Sequence, residues 1–328
     1  MSRLEKLLAA LAVLPFGLGF TLSGAASVKG DVVFSFADPE IIESSGLIAH
    51  DGRFATVNDS GDSGRVFTVD PADGTTVAET SWDGEPVDVE SMALMPDGDV
   101  LVGDTGDNAA ERDSIELIRV PFGQDGVVDP TRYELVYPDG PHDCESLLVH
   151  PKTGQVLLVA KEFIGRLYAG PERLDQDGPN RLEMLDDAVL PIATDGAFFP
   201  DGKHFILRGY VKAAVYAWPS LDQVGEPFIL PEQAQGEGIA VGKDDAVYLS
   251  SEGTNSEVLR IALPKGVQAK LDGRTDKPDS AGPVSDGDAG ADGDEDDDLW
   301  ERLRSWLIGG AIGLAVLLVL IRLRGRRT

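Results

Sequence analysis

Cysteine is almost absent from this chain: Cys144 is the only one in 328 residues. A single thiol builds neither an intrachain disulfide framework nor a Cys-rich zinc site. Bases are scarce too, with 28 Lys and Arg against 57 Asp and Glu and a formal net charge of −29. That balance excludes a nucleic-acid binder working by phosphate neutralisation, because the backbone would be repelled. The four histidines (50, 142, 150 and 204) lack metal-ligand spacing, and His50 and His150 fall at equivalent strand ends, which predicts exposed turn residues. Between residues 27 and 265 no helix-period segment is long enough to compete with strands. What the chain does have is 38 Gly and 20 Pro without a Gly-X-Y period, hence many turns, and 42% hydrophobic residues, enough for a core.

Two apolar runs read as targeting segments. Residues 1–26 carry Arg3 and Lys6, an apolar run from Leu7 to Leu22, and then Ser23-Gly24-Ala25-Ala26, the layout of a secretory signal peptide. Trp306–Ile321 holds no charge and is flanked by Arg302 and Arg304 before it and Arg322, Arg324, Arg326 and Arg327 after it. Residues 300–322 are therefore expected to form a transmembrane helix, with Trp300 and Trp306 at the interface and a cytoplasmic basic tail over 323–328. Gly309 and Gly313 form a weak helix-dimer motif; otherwise a monomer is expected. Residues 266–299 read as an acidic disordered linker, since 276–298 hold ten acids and one Lys. Residues 27–265 are then an extracytoplasmic domain on a membrane tether, itself strongly acidic.

That domain repeats. Five apolar strands end at Pro71, Pro121, Pro171, Pro219 and Pro264, at spacings of 50, 50, 48 and 45. Upstream of each lies a small or acidic pair leading into an apolar run: Ser45-Gly46, Glu90-Ser91, Glu145-Ser146, Asp195-Gly196 and Glu237-Gly238. A tight-turn signal and another apolar run follow, and Tyr133–Tyr137 and Pro227–Leu230 supply fourth strands. Four short antiparallel strands repeated every 45–50 residues make a β-propeller blade. The expected fold is all-β, a five-bladed β-propeller, with a six-bladed ring or a stacked solenoid as competing layouts. The fifth unit lacks a fourth strand of its own and Val32–Phe36 is an orphan, so pairing the two is expected to close the ring.

The motifs Glu43-Ser-Ser-Gly, Asn58-Asp-Ser-Gly-Asp, Asp88-Val-Glu-Ser, Gly103-Asp-Thr-Gly-Asp-Asn, Tyr137-Pro-Asp-Gly-Pro, Gly236-Glu-Gly and Ser250-Ser-Glu-Gly resemble those of actinobacterial membrane-anchored extracytoplasmic propellers of unassigned function. More distantly the chain resembles secreted phytase-like propellers. The resemblance implies a propeller fold and, through its phytase-like side, a site where Ca²⁺ and Arg bridge a phosphate.

In a blade, the loop entering the first strand and the loop leaving the second share one face near the axis. Entering loops carry Glu43, Asp88, Glu90, Asp143, Glu145, Asp195 and Glu237; leaving loops carry Asp59, Asp62, Asp104, Asp107, Lys161, Glu162, Arg208, Tyr210 and Glu252. Hard oxygen donors in such number suit Ca²⁺. The metal candidates are Asp59, Asp62, Glu90, Asp104, Asp107, Glu145 and Glu237, and the ligand-binding candidates are Lys161, Arg208, Tyr210 and Glu252. The doublets Asp59/Asp62 and Asp104/Asp107 depart from the repeat, which points to function, whereas recurrence and turn capping by Asp point to structure. Gly61-Asp-Ser-Gly64 spells a serine-protease nucleophile motif, but His50 lies in the same blade, thirteen residues from Ser63, so a triad is not expected. The chemistry leans to binding of a small polar ligand, a glycan or an envelope partner. A Ca²⁺-dependent phosphoesterase or a propeller glycoside hydrolase stands as the alternative.

Overall fold

The computed structural model describes residues 26–59 and 61–273. The signal-peptide residues 1–25, the acidic stretch beyond 273, the 300–322 segment and the basic tail lie outside them. No helix among the described residues is long and apolar enough to cross a membrane.

The chain opens with β1 (Gly30–Ser35) and then builds blade one from β2 (Ser44–His50), β3 (Arg53–Asn58), β4 (Arg65–Val69) and β5 (Thr76–Trp82). Blade two follows with β6 (Val89–Leu94), β7 (Val100–Asp104), β8 (Ile115–Val120), a short β9 (Gly126–Val128) and β10 (Thr131–Val136). Blade three holds β11 (Cys144–Val149), β12 (Val156–Ala160), β13 (Gly165–Ala169), β14 (Asn180–Arg181) and β15 (Glu183–Val189). Blade four is β16 (Ala193–Phe198), β17 (His204–Gly209), β18 (Lys212–Ala217) and β19 (Phe228–Ile229); β20 (Gly236–Val241), β21 (Val247–Ser251) and β22 (Glu257–Ile261) begin blade five. The five prolines that mark the repeat all stand just past the third strand of a blade, where a residue without N–H ends the ladder.

β1 pairs antiparallel with β22, Val32 opposite Leu259 and Ser35 opposite Glu257, and so supplies the fourth strand of the last blade. The closure expected from the orphan strand is the one observed. The ring has five blades, not six. Two short segments reach back to the blade before their own: β9 lies parallel on β5, and β14 parallel on β10.

The inner strands β2, β6, β11, β16 and β20 stand side by side around the axis. Gly46 shows how tight that contact is, since a Cβ there would lie 2.6 Å from Met92 Cγ. Among the described residues no apolar cluster fills the axis of the ring. Five apolar clusters instead fill the five interfaces between neighbouring blades. Alternate residues of one strand feed opposite interfaces: Leu147 and Leu158 pack toward blade two, Leu148 and Val159 toward blade four. Both faces of a middle strand are thus buried, which is why Val156-Leu-Leu-Val159 reads as an unbroken apolar run.

Three local expectations change. Residues 265–271, placed largely in the linker by composition, form helix α1 (Lys265–Leu271) and seat Val267, 3% exposed, in the cluster between blades four and five. His150 is buried rather than exposed: its Nδ1 accepts from Lys152 and Thr153 N–H, and its Nε2 meets the Gly202 carbonyl of blade four at 2.9 Å. His50 is half-buried beside Phe122. His150 caps its turn through backbone contacts that the strand pattern does not reveal, whereas the buried Nδ1 of His50 has no hydrogen-bond partner.

Candidate functional site

Every inner strand begins with a register shift, so one extra residue is pushed out of the ladder toward the mouth. In blades two, three and five that residue is Glu90, Glu145 or Glu237; in blade one it is Ser45. Blade four departs from the sequence alignment of the repeat. Asp195 pairs with Arg208 as Ser146 pairs with Val159, so the counterpart of the glutamates is Thr194, not Asp195. The two hydroxyl positions serve the neighbouring blade, Ser45 Oγ donating to the Glu90 carbonyl at 2.6 Å and Thr194 Oγ1 to the Glu237 carbonyl at 3.1 Å.

The three glutamates are 3–5% exposed. Burial, followed by the charges of Glu145, Asp59 and Asp88, pushes Glu90 up to about 10, so it is protonated at neutral pH. Burial also pushes Glu145 to about 8 despite its ion pair with Lys161, and Glu237 to about 7. Burial works against the charge on Lys161, but Glu145 outweighs it and holds the ammonium well above its usual range. Its Nζ also lies 5.5 Å from the centre of the Tyr210 ring. Gln235 Nε2 joins Glu252 at 2.6 Å and Glu237 at 3.3 Å.

Asp59, Asp88 and Glu90 come together between blades one and two, each offering a carboxylate oxygen within 4.8 Å of the others. Gly106 makes room for them, because a Cβ there would sit 2.4 Å from an Asp88 oxygen and 2.8 Å from Glu90 Cγ. A cleft whose wall includes Asn58, Asp59, Arg65, Val87 and Asp88 opens beside this trio. Glu145 Oε2, buried at the same mouth, has no hydrogen-bond partner. These features fit a hard divalent cation, with three carboxylates leaving coordination positions for water or ligand oxygens.

The remaining candidates are placed elsewhere. Asp62 holds Arg65 through both oxygens and accepts from Asn58 Nδ2; against the cost of burial, these bonds keep its carboxyl below the usual range. Asp104 accepts from Val87 and Asp88 N–H at 2.9 Å each and pairs with Arg112, while Asp107 caps the turn at Glu111 and Arg112. The departures from the repeat in blades one and two thus organise loops, and Asp88 rather than Asp62, Asp104 or Asp107 completes the trio. Asn58 does for blade one what Asp104 does for blade two, accepting from Ile42 and Glu43 N–H.

Arg208 stands not in the mouth-face loop that the repeat indicates but inside β17, fully buried. Its guanidinium donates to Gln233 Oε1 and to the carbonyls of Gly238 and Ser250, which straps blade four to blade five; burial lowers it to about 10. Its neighbour Asp195, pushed well up by burial, accepts from Gly196 N–H at 2.8 Å and across the blade interface from Ile239 N–H at 2.7 Å. Cys144 is buried, and burial pushes its thiol to about 12, so it is inert.

The motif Tyr137-Pro-Asp-Gly-Pro hides a network that spacing does not betray. His142 bonds Glu162 at 2.8 Å through Nδ1 and Asp139 at 3.0 Å through Nε2, with the Tyr168 hydroxyl 2.9 Å from that second nitrogen. It latches the loop entering β11 to the β12–β13 loop. The two ring nitrogens serve different partners, which suits a structural clasp better than a chelate.

No family model matches the chain, and no curated protein matches it. Among solved structures it aligns with a chain of Kuenenia stuttgartiensis hydrazine synthase at 16% identity and a TM-score of 0.37, over 65% of this chain and 57% of that one. That likeness is distant and carries no functional argument. The protein class defined by fold and site is a five-bladed β-propeller with a carboxylate-rich mouth.

Proposed function

We propose that this propeller is a binding module, held on the extracytoplasmic side by its C-terminal helix, whose mouth takes up a divalent cation and through it a small polar ligand. Its signal-like and anchor-like segments and its resemblance to actinobacterial membrane-anchored propellers support the location. The carrying observation is the Asp59–Asp88–Glu90 trio beside a buried, unpartnered Glu145 oxygen. A carboxyl group as disfavoured in its charged form as Glu90 stores electrostatic cost that a cation relieves. Ca²⁺ is the cation best matched to an all-oxygen, irregular donor set.

The test is a melting series with chelator, Ca²⁺, Mg²⁺ and Mn²⁺ on the parent and on the double variant Glu90→Gln/Glu145→Gln. The parent should gain about 2.7 kcal/mol when the ion is about 100-fold above its dissociation constant. The double variant should lose that response and, in chelator, melt higher than the parent. A parent indifferent to cations, with a Gln variant that melts lower, would reject the reading.

One observation favours a second reading, hydrolysis of a phosphoester or glycoside. Glutamates at one strand position are held at about 10, about 8 and about 7, the kind of separation that acid–base chemistry uses. Turnover of an aryl phosphate or aryl glycoside that vanishes in Glu237→Gln would move the conclusion from binding to catalysis.

A further inference from the structure

The exposed large apolar side chains of the propeller are distributed unevenly. Among the described residues, those in loops are Ile42, Val87, Phe163, Ile164, Tyr210 and Val211, and every one lies in a loop that enters an inner strand or leaves the strand beside it. All six therefore belong to the mouth face. The turns of the opposite face carry none, and the remaining exposed apolar residues sit on the strands β1, β5, β9 and β15. Phe163 and Ile164, 89% and 63% exposed, form the tip of the β12–β13 hairpin; Tyr210 and Val211 form the β17–β18 tip of the next blade. Lys161, lying over the Tyr210 ring, links the two tips. Apolar tips of this exposure add nothing to the blade interfaces, and clustered apolar surface on one face marks a contact site.

The same loops set the sign of what covers them. The segments 36–43, 59–64, 83–88, 105–114, 137–143, 161–164, 190–192, 210–211, 231–235 and 252–256 hold sixteen Asp or Glu against two bases, Arg112 and Lys161. Both bases are already paired, with Asp104 and Glu145. An anionic lipid surface or an acidic protein would be repelled, and an uncharged apolar partner would desolvate the acids without compensation.

We infer that the mouth face docks a basic amphipathic polypeptide segment, with its apolar side chains on Phe163, Ile164, Tyr210 and Val211 and its Lys or Arg side chains turned to the acidic mouth. The apolar anchors supply residence and the charges supply register and association rate. None of the four rim residues belongs to the cation trio, so the two readings fail separately.

The full chain in nanodiscs of zwitterionic lipid, with empty discs as the blank, is titrated with a short fluorescent Lys–Leu amphipathic peptide and with its Lys–Ser and Glu–Leu analogues. The Lys–Leu peptide should bind at least about tenfold more tightly than either analogue and weaken with added salt. Phe163→Ser/Ile164→Ser should weaken it about tenfold with Tm and cation response unchanged, because both side chains are already in water. Equal binding of Lys–Leu and Lys–Ser, or a double variant that binds like the parent, overturns the apolar half of the inference. Equal binding of Glu–Leu overturns the charged half. Clustering of the discs by anionic vesicles that depends on Phe163 would mean that the face meets a membrane instead. A parent whose Tm is indifferent to cations, with peptide binding intact, would reject the cation reading alone.

Discussion

Glu90 concentrates the electrostatics of the mouth in one side chain. Its folded pKa of about 10 lies above that of an unfolded glutamate, so the folded state binds more protons than the unfolded chain across the interval between them. Stability should therefore fall as pH rises from about 5 towards 9, with Glu145 and Glu237 adding to the fall below about 8 and about 7. Glu90→Gln should flatten this profile and gain on the parent as pH rises, by on the order of 1 kcal/mol or more near pH 8 without metal. Melting curves in chelator at several pH values check this, and parallel profiles would refute it. Arg208 is the opposite case, a buried cation that the fold needs. Arg208→Met should cost about 3–5 kcal/mol in denaturant titrations, because the Gly238 and Ser250 carbonyls lose their donor and Asp195 loses its nearby positive charge. A cost below about 1 kcal/mol would mean that water replaces the guanidinium.

At the scale of elements, two devices build the site. The first is the extra residue at the head of each inner strand, which turns a glutamate out of the ladder in blades two, three and five. The second is the polar residue at the end of the next strand, Asn58 or Asp104, which binds the entering loop so that Glu43 or Asp88 is fixed at the mouth. Recurrent polar residues in the repeat thus divide into those facing the mouth and those holding loops, a division that spacing cannot make. Closure is also an element-scale matter. Deleting Val32–Phe36 removes the partner of β22 and the buried Phe34 and Phe36 from the blade five–one interface. Aggregation or loss of cooperative unfolding is expected, and a deletion variant that stays monomeric with the parent's Tm would show that another segment closes the ring.

At the scale of the whole molecule, the described residues form one five-bladed ring. The topology proposed for it predicts that protease added to intact cells releases a fragment cut within residues 274–299, while the arginines after Ile321 stay protected. The reverse pattern would place the propeller inside. The ring itself was largely legible in the sequence: five prolines at near-constant spacing, an apolar run before each and an orphan strand at the start are local features, and local features survive in a one-dimensional reading. Which carboxylates meet was not legible. Asp59, Asp88 and Glu90 come from two blades, and only the ring's curvature and the absence of a Cβ at Gly106 bring their oxygens within 4.8 Å. Asp195 and Arg208 looked like members of the mouth because a one-residue offset in the register of blade four is invisible until the strands pair. Sequence by itself determined the strand repeat and where the acids fall along the chain, since strand periodicity and turn chemistry are set by neighbouring residues, whereas the pairing of β1 with β22 decided that five units close the ring. Tertiary structure alone decided which acids are buried together, which are neutralised by Arg65, Arg112 or Lys161, and which gather as the Asp59–Asp88–Glu90 trio, because charge interactions depend on distance through space and on burial.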